Sequence, residues 1–221
     1  MIVQKNIVIL GAGGFGREVH AWLLDWIARG DGQQTQTHCW KVAGFIDDNA
    51  SAMDAFANMP PVISSIEDFV SVPNTFVVCA IANPKIKKKV VGRMLDKGAQ
   101  FLSMVHPTVV MGTNVRLGLG TVVCPLSMLS TDISVGEFVT INATCTVGHD
   151  AKISRFCTLS GHCDVTGGVV LEEGVFMGSH AAVVPNVTVG EYAVIGASSL
   201  VVRKVQPGTT VFGVPAKRIS R

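Results

Sequence analysis

The stretch TVGHDAKIS at residues 146–154 holds side chains suited to acid–base chemistry. His149 follows Gly148 and directly precedes Asp150. Imidazole is the side chain whose protonation changes near neutral pH, so a neutral His149 can act as a general base. A neighbouring carboxylate can orient such a ring and stabilise the imidazolium that forms. The simpler alternative is an exposed histidine at a turn.

The glycine-rich stretch GAGGFG at residues 11–16 offers backbone chemistry instead. It follows the apolar run NIVIL, and Gly11, Gly13 and Gly16 complete the pattern G-x-G-x-x-G. This pattern is typical of dinucleotide-binding enzymes. A full dinucleotide site needs two mononucleotide-binding halves, however, and the strand–helix pattern here ends after about one and a half. We therefore predict an anion site made by backbone N–H groups and a helix N-terminus, and not an NAD(P)-dependent oxidoreductase.

Residues 1–105 alternate between strand and helix patterns, which predicts a Rossmann-like α/β domain with a parallel sheet. The strands are expected at 6–11, 40–48 and 76–82, with a possible fourth at 100–105. An amphipathic helix is expected at 14–30, a polar loop at 31–38, and a second helix, with proline in its first turn, at 84–98. This domain would carry the glycine loop.

From residue 106 onward a period of six replaces this alternation. Every sixth residue from 111 to 201 is apolar: Met111, Leu117, Val123, Leu129, Val135, Ile141, Val147, Ile153, Leu159, Val165, Leu171, Met177, Val183, Val189, Ile195 and Val201. Such a hexapeptide period predicts a parallel β-helix of about five triangular coils of 18 residues. The next position is often glycine, which we expect at the tight corners. Cys145, Cys157 and Cys163 fall in an interior column, where inert packing is favoured over a reactive thiol.

Composition narrows the partners and the compartment. The chain has 221 residues, 48% of them hydrophobic and 15% charged, with a net charge of +2. This balance gives no reason to expect nucleic acid or an anionic membrane as a partner. The longest apolar run, residues 76–82, is far shorter than the roughly 20 residues of a membrane-spanning helix. Since the N-terminus lacks a signal-peptide pattern, we expect a cytoplasmic protein with reduced cysteines and no membrane insertion.

The repeat and the ending VFGVPAKRI at 211–219, with its G-x-P-A-K pattern, resemble the hexapeptide-repeat acyltransferases. In that family the β-helix is left-handed and most members use acetyl-CoA. A glycine-rich N-terminal half joined to such a helix resembles one branch more narrowly. These are sugar acyltransferases that N-acetylate nucleotide-linked amino sugars, together with sialic acid O-acetyltransferase-like proteins. The resemblance covers the whole chain, with domains at 1–105 (Rossmann-like, nucleotide-sugar-binding) and 106–221 (left-handed β-helix, acetyl-CoA-binding).

The resemblance implies an acetyl-CoA-dependent N-acetyltransferase acting on a UDP-, GDP- or dTDP-linked 4-amino-4,6-dideoxy sugar for bacterial surface glycans. His149 would be the general base and Asp150 its partner, with direct transfer in a homotrimer. Two alternatives stay open: O-acetylation of sialic acid or a related sugar, and a non-catalytic β-helix that binds a nucleotide sugar.

Several residues are candidate contacts of the nucleotide sugar, the glycine loop and the two acids by resemblance to the family and the two at the second helix by their position near the expected phosphate. They are Gly11, Gly13, Gly14 and Phe15 in the glycine loop, Asp47 and Asp48 after the second strand, and Asn83 and Lys85 at the second helix. Phe15 stands where many members carry histidine. Asp47 and Asp48 have a simpler interpretation as solvated turn carboxylates, and Lys87, Lys88 and Lys89 as a solvated helix face.

The acetyl-CoA contacts are implied by position only. They are Gly167, Ser179 and Ala197 on the coils, and Pro215 and Lys217 in the tail, which also suits a cap on the end of the β-helix. His162 and His180 are 18 residues apart and should stack in adjacent coils. Their spacing from His149 does not match the three-histidine zinc site of hexapeptide carbonic anhydrases. We expect no metal, and a solvated or CoA-lining histidine stack.

Overall fold

The structure is a computed structural model that describes residues 3–30 and 38–219. The predicted polar loop at 31–38 lies, except for His38, outside the described residues. Internal contacts divide the chain into two units, one formed by Met1–Ala82 with Ile86–Pro107 and the other by Asn83–Lys85 with Thr108–Arg221. No helix in the described ranges is long and apolar enough to cross a membrane.

The first unit is a parallel α/β domain. Its strands are β1 (Val3–Leu10), β2 (His38–Ile46), β3 (Val62–Ser64), β4 (Thr75–Cys79) and β5 (Gln100–Phe101), in the order β3-β2-β1-β4-β5. Its helices are α1 (Gly14–Ala28) and α2 (Pro84–Asp96). The central strand β1 ends in four consecutive buried residues, 7–10, as expected for a parallel strand covered on both faces. This arrangement sets the glycine loop directly after the central strand.

The strands and helices predicted in this unit are confirmed, with two differences. Strand β3 was not predicted, because three residues flanked by loops carry no readable alternation. The strand predicted at 100–105 is two short ones: Gln100–Phe101 pairs with β4, whereas Met104–Val105 is a separate strand.

The second unit is the predicted left-handed parallel β-helix, built from two-residue strands on three faces. The first face holds Val110–Met111, Met128–Leu129, Thr146–Val147, Asp164–Val165, Ala182–Val183 and Leu200–Val201. The second holds Arg116–Leu117, Ser134–Val135, Lys152–Ile153, Val170–Leu171 and Thr188–Val189. The third holds Val122–Val123, Thr140–Ile141, Thr158–Leu159, Phe176–Met177, Val194–Ile195 and Thr210–Phe212, to which Lys217–Arg218 pairs antiparallel. Paired strands are 18 residues apart, as in Met128 with Thr146.

The predicted interior column is buried from Val123 to Val201 without exception. Met111, 46% exposed, and half-exposed Leu117 differ because their strands end the first and second faces, so no earlier strand stacks on them. The interior thiols of Cys145, Cys157 and Cys163 are buried too. Each lies within hydrogen-bond distance of a backbone carbonyl.

The predicted role of the repeat glycines at the corners is wrong. The left-handed corner residue lies two positions later, and from Asn114 to Ser198 every sixth residue has a positive φ. The repeat glycines instead let successive coils approach. A Cβ on Gly148, for example, would lie 2.6 Å from the backbone nitrogen of Gly167. Asp150 (φ 60°), His162 (φ 62°) and His180 (φ 61°) are themselves corner residues.

The interior column gives a stability prediction. We expect Leu159→Ala to lower the free energy of unfolding by about 2–5 kcal/mol, because it removes a fully buried side chain from the tightly packed coil. The exposed control Lys152→Ala should change it by less than about 0.5 kcal/mol. Urea denaturation followed by circular dichroism measures both. Equal losses would contradict the inward placement of the column.

Candidate active site and nucleotide loop

The predicted His149–Asp150 pair is in contact at one corner of the β-helix. Nδ1 of His149 lies 2.7 Å from Oδ2 of Asp150, and the two side chains are 66% and 67% exposed. The left-handed backbone of Asp150 and its N–H bond to the carbonyl of Thr131, at 3.1 Å, set the carboxylate beside the ring. The pair is thus positioned by the corner and remains open to solvent.

This contact determines which imidazole nitrogen is available. A carboxylate only accepts hydrogen bonds, so the Nδ1 of His149 that faces it carries the proton. Nε2 of the neutral ring then has a free lone pair. The imidazole ring lies over Gly167 in the next coil, where a Cβ added to Gly167 would be 2.6 Å from Nε2 and 2.7 Å from Cε1 of His149. The site therefore presents an oriented base that packs over a residue without a side chain.

The sequence prediction placed Gly167 with acetyl-CoA but missed its closeness to His149. The signal was present in the repeat, because 18 residues separate the two positions and one coil has 18 residues. On the preceding side, hydroxyls of Thr113 and Thr131 lie 2.8 Å apart, and Asn114 donates to Asp132 at 2.8 Å. A polar ladder therefore runs along this corner up to the His149–Asp150 pair.

The other residues predicted to contact acetyl-CoA lie elsewhere on the β-helix. Ser179 and Ala197 are exposed equivalents in successive coils, each directly before a corner residue, His180 and Ser198 respectively. This corner also carries the predicted histidine stack, since the rings of His162 and His180 are 4.6 Å apart and nearly parallel. One chain therefore does not bring Ser179 and Ala197 to the corner that holds His149 and Gly167.

The tail residues that were predicted to contact acetyl-CoA form a hairpin at the end of the β-helix. Pro215 is exposed in the turn before Lys217, which pairs with Phe212. The hairpin is joined to the coils by a hydrogen bond from the N–H of Ala216 to the carbonyl of Leu200, 2.8 Å long.

The histidine stack has one further polar contact, since Thr144 Oγ1 lies 2.7 Å from Nδ1 of His162. Within residues 3–30 and 38–219, no group of three or more metal-ligating side chains occurs.

In the first unit the glycine loop is tightly constrained. Gly11 has φ 104°, and its N–H bonds to the carbonyl of Ile46 at 2.9 Å. A Cβ on Gly16 would overlap the carbonyl oxygen of Gly11, so this helix position admits only glycine. The carboxylate of Asp47 accepts the N–H of Ala12 at 2.7 Å. Asp47 therefore holds the loop in shape, which differs from the solvated carboxylate considered above.

The N-terminus of α1 is open to a ligand. Gly13 is its cap and supplies no side-chain hydrogen bond, and Gly13 and Gly14 are exposed. Phe15 packs edge-on against Trp22 of the same helix with ring centroids 6.3 Å apart.

Arg17, close to the N-terminus of α1, was not among the residues predicted from the sequence. The guanidinium of Arg17 lies 3.7 Å from the centroid of the Phe56 ring, and an Nη atom of Arg17 would be 3.9 Å from a Cβ built on Gly14. A positive charge therefore stands beside the open end of α1. The sequence feature that could have identified Arg17 is its position directly after the last glycine of the pattern.

The remaining predicted substrate contacts have structural partners. Asp48 accepts the N–H of Ile66 at 3.0 Å, and Asn83 caps α2 by accepting the N–H of Lys85 at 3.0 Å. Asn83 and Lys85 group with the β-helix unit and not with the glycine loop. Their predicted role in substrate binding stays a prediction.

The solvated-face interpretation holds for Lys88 and Lys89 but is wrong for Lys87. Lys87 is fully buried, whereas Lys88 and Lys89 are exposed. Burial raises the pKa of the nearby Cys79 thiol, and the charge of Lys87 opposes that rise.

Comparison with known proteins finds a matching family for the N-terminal unit and a similar curated enzyme. Residues 6–94 match the PglD N-terminal domain family. Over 124 residues the chain is 26% identical to UDP-N-acetylbacillosamine N-acetyltransferase of Bacillus subtilis (strain 168), which covers 54% of this chain and 51% of that protein. The chain thus spans about half the length of this curated relative.

Two solved structures match almost the whole chain. WeeI from Acinetobacter baumannii AYE is 28% identical with a TM-score of 0.83, covering 98% of this chain and 100% of that one. A histidine mutant of perosamine N-acetyltransferase from Caulobacter crescentus, in complex with CoA and GDP-perosamine, is 26% identical with a TM-score of 0.82, covering 98% of each chain. The predicted resemblance is confirmed: over almost its whole length the chain is similar to solved structures that include a sugar N-acetyltransferase. More particularly, its N-terminal unit is similar to the PglD N-terminal domain.

Proposed function

We propose that this protein transfers the acetyl group of acetyl-CoA to the amino group of a nucleotide-linked 4-amino-4,6-dideoxy sugar. One observation carries the proposal. His149 is oriented by Asp150 at 2.7 Å, and its Nε2 edge lies over Gly167, a residue without a side chain, on a hexapeptide β-helix. This arrangement supplies a general base at an exposed edge where an acyl donor and an amine can meet.

The chemistry follows from that geometry as direct transfer. The amine nitrogen attacks the thioester carbonyl carbon while Nε2 of His149 takes a proton from the nitrogen. Asp150 stabilises the resulting imidazolium. The C–S bond breaks, the C–N bond remains as an amide, and the proton on Nε2 passes to the departing thiolate. The thiols of Cys145, Cys157 and Cys163 are buried, which disfavours an acyl-enzyme at these positions.

The glycine loop supports a nucleotide-linked acceptor. The uncapped N-terminus of α1, at the exposed Gly13 and Gly14, suits a diphosphate, because a helix N-terminus attracts anions. The perosamine N-acetyltransferase structure contains GDP-perosamine, and the B. subtilis relative is named for a UDP-linked amino sugar. Both relatives are N-acetyltransferases, which favours an amino acceptor over the hydroxyl of sialic acid. The nucleotide stays open among UDP, GDP and dTDP.

A thiol-release assay tests the proposal. The protein is mixed with acetyl-CoA and a panel of UDP-, GDP- and dTDP-linked 4-amino sugars, and release of free CoA thiol is followed. Thiol release that requires one of the sugars supports the proposal and identifies the nucleotide. Binding of a sugar nucleotide without thiol release would favour the non-catalytic alternative.

We also propose a cytoplasmic homotrimer. Gly167 lies at one corner of the β-helix and Ser179 and Ala197 at another, so an acetyl-CoA that contacts both sets would lie between two chains. Light scattering on the purified protein should give three times the chain mass, and a monomer that is fully active would contradict the proposal.

Arg17 provides a prediction for the nucleotide loop. We expect Arg17→Gln to raise KM for the nucleotide sugar about tenfold with kcat little changed, because it removes a cation beside the diphosphate. Arg203→Gln, at an exposed position of the β-helix, is the control and should leave KM unchanged. Equal KM values for the Arg17 variant and the wild type would place the diphosphate elsewhere.

A further inference from the structure

Two adjacent glycines interrupt the polar ladder at the corner that carries His149. Adding one coil, 18 residues, to His149 and Asp150 gives Gly167 and Gly168. The coil before His149 and Asp150 has Thr131 and Asp132 at these positions, and the coil after the two glycines has Pro185 and Asn186. The side chains resume on either side, so the two glycines leave a gap one coil wide, about 4.8 Å. We call Gly167–Gly168 the glycine gap.

Two side chains reach into the glycine gap from opposite sides. The imidazole of His149 lies over Gly167 from the preceding coil. From the following coil the carboxamide of Asn186 folds back over Gly168, and its Oδ1 occupies the space that a Cβ on Gly168 would need. The backbone holds Asn186 in this position, since its N–H donates to the carbonyl of Gly167 at 3.0 Å and its φ is 63°.

The chemistry of the carboxamide identifies what fits opposite His149. A carboxamide has both N–H donors and a carbonyl acceptor, so it is complementary to another amide group. In acetyl-CoA only two methylene groups separate the thioester sulfur from the nearest amide of the pantetheine arm. A thioester placed beside Nε2 of His149 therefore carries its amide about one coil further, toward Asn186.

We propose that the thioester end of acetyl-CoA lies on the outer side of the glycine gap, between the exposed side chains of His149 and Asn186, and that the Asn186 side chain hydrogen bonds the nearest pantetheine amide. The inference rests on the proposed acetyl-CoA-dependent function and assigns a binding residue to it. Asn186 contacts the part of the donor that CoA and acetyl-CoA share. Its loss should therefore weaken both ligands equally and leave the nucleotide sugar unaffected.

The corner supplies a matched control. Asn114 has the same residue type and the same left-handed backbone in the same column as Asn186. It lies 36 residues before Asp150, as Asn186 lies 36 residues after it. Glycine adopts this backbone without strain, so Asn186→Gly and Asn114→Gly both remove a carboxamide with little cost to the fold.

Calorimetric titration with CoA and with acetyl-CoA tests the proposal. We expect about tenfold weaker binding of both ligands to Asn186→Gly and wild-type affinity for Asn114→Gly. Asn186→Asp, which removes the N–H donors and keeps the shape, should weaken both ligands similarly. Wild-type affinity of Asn186→Gly for CoA overturns the role of Asn186 while the acetyltransferase proposal stands. A wild-type protein that binds neither ligand overturns both.

Discussion

Replacing His149 with alanine is expected to lower kcat by about 10²–10⁴-fold, the usual contribution of a positioned general base. The loss follows because the variant lacks the Nε2 atom that is proposed to accept the proton from the amine nitrogen. Binding of acetyl-CoA and of the nucleotide sugar should persist, since the variant removes a base and leaves the coil intact. Steady-state kinetics and calorimetry on the same preparation separate the two effects.

Asp150 provides a graded companion to this result. Asp150→Asn keeps the size of the side chain but replaces the acceptor-only carboxylate with a group that can also donate, so the orientation of the imidazole is no longer imposed. We expect a smaller fall in kcat than for His149→Ala. The control is Asp132→Asn, one coil earlier in the same column, which should turn over normally. Normal turnover by His149→Ala would contradict the mechanism.

The second large effect is expected from Gly167→Ala. The added methyl group would lie 2.6 Å from Nε2 of His149, so the ring must move. Misplacement of a reacting group by about 1 Å costs about 10²-fold in rate. Gly167 has no left-handed backbone that would make alanine strained in itself. We therefore expect kcat to fall about 10²-fold while the melting temperature stays near that of the wild type.

Gly161→Ala is the matched control for this variant. Gly161 occupies the equivalent position of the repeat at another corner, where the nearest atom to an added Cβ is the carbonyl oxygen of Ala143 at 3.6 Å. It should be fully active. In a His149→Ala background, Gly167→Ala should cause no further loss, because its effect acts through the imidazole. An unchanged kcat for Gly167→Ala alone would show that the ring does not work from its position over this glycine.

The parts of the fold that could be predicted from the sequence are those in which apolar residues recur at a fixed spacing. The interior of each coil repeats every six residues, so the column from Val123 to Val201 is readable without any long-range information. The helices α1 and α2 are readable for the same reason, from their spacing of apolar residues. Strand β3 was missed because three residues are too few to display a period.

The candidate site was only partly readable, because it depends on contacts between distant segments. The pair His149–Asp150 could be read as neighbours, and Gly167 follows once the coil length is known. The reach of Asp47 to Ala12 and the stacking of Arg17 on Phe56 join segments whose spacing no period specifies. Complete burial of Lys87 in a run of lysines is likewise a tertiary effect that local sequence does not encode.

We propose that the protein moves an acetyl group from acetyl-CoA onto a sugar nitrogen. The most direct measurement is carbon NMR of the product formed from acetyl-CoA labelled with ¹³C at the carbonyl and the nucleotide amino sugar that supports thiol release. We predict an amide carbonyl resonance coupled to the former amino position, present with wild-type protein and absent with His149→Ala. Label recovered as an ester on a sugar hydroxyl, or as free acetate, would contradict the account.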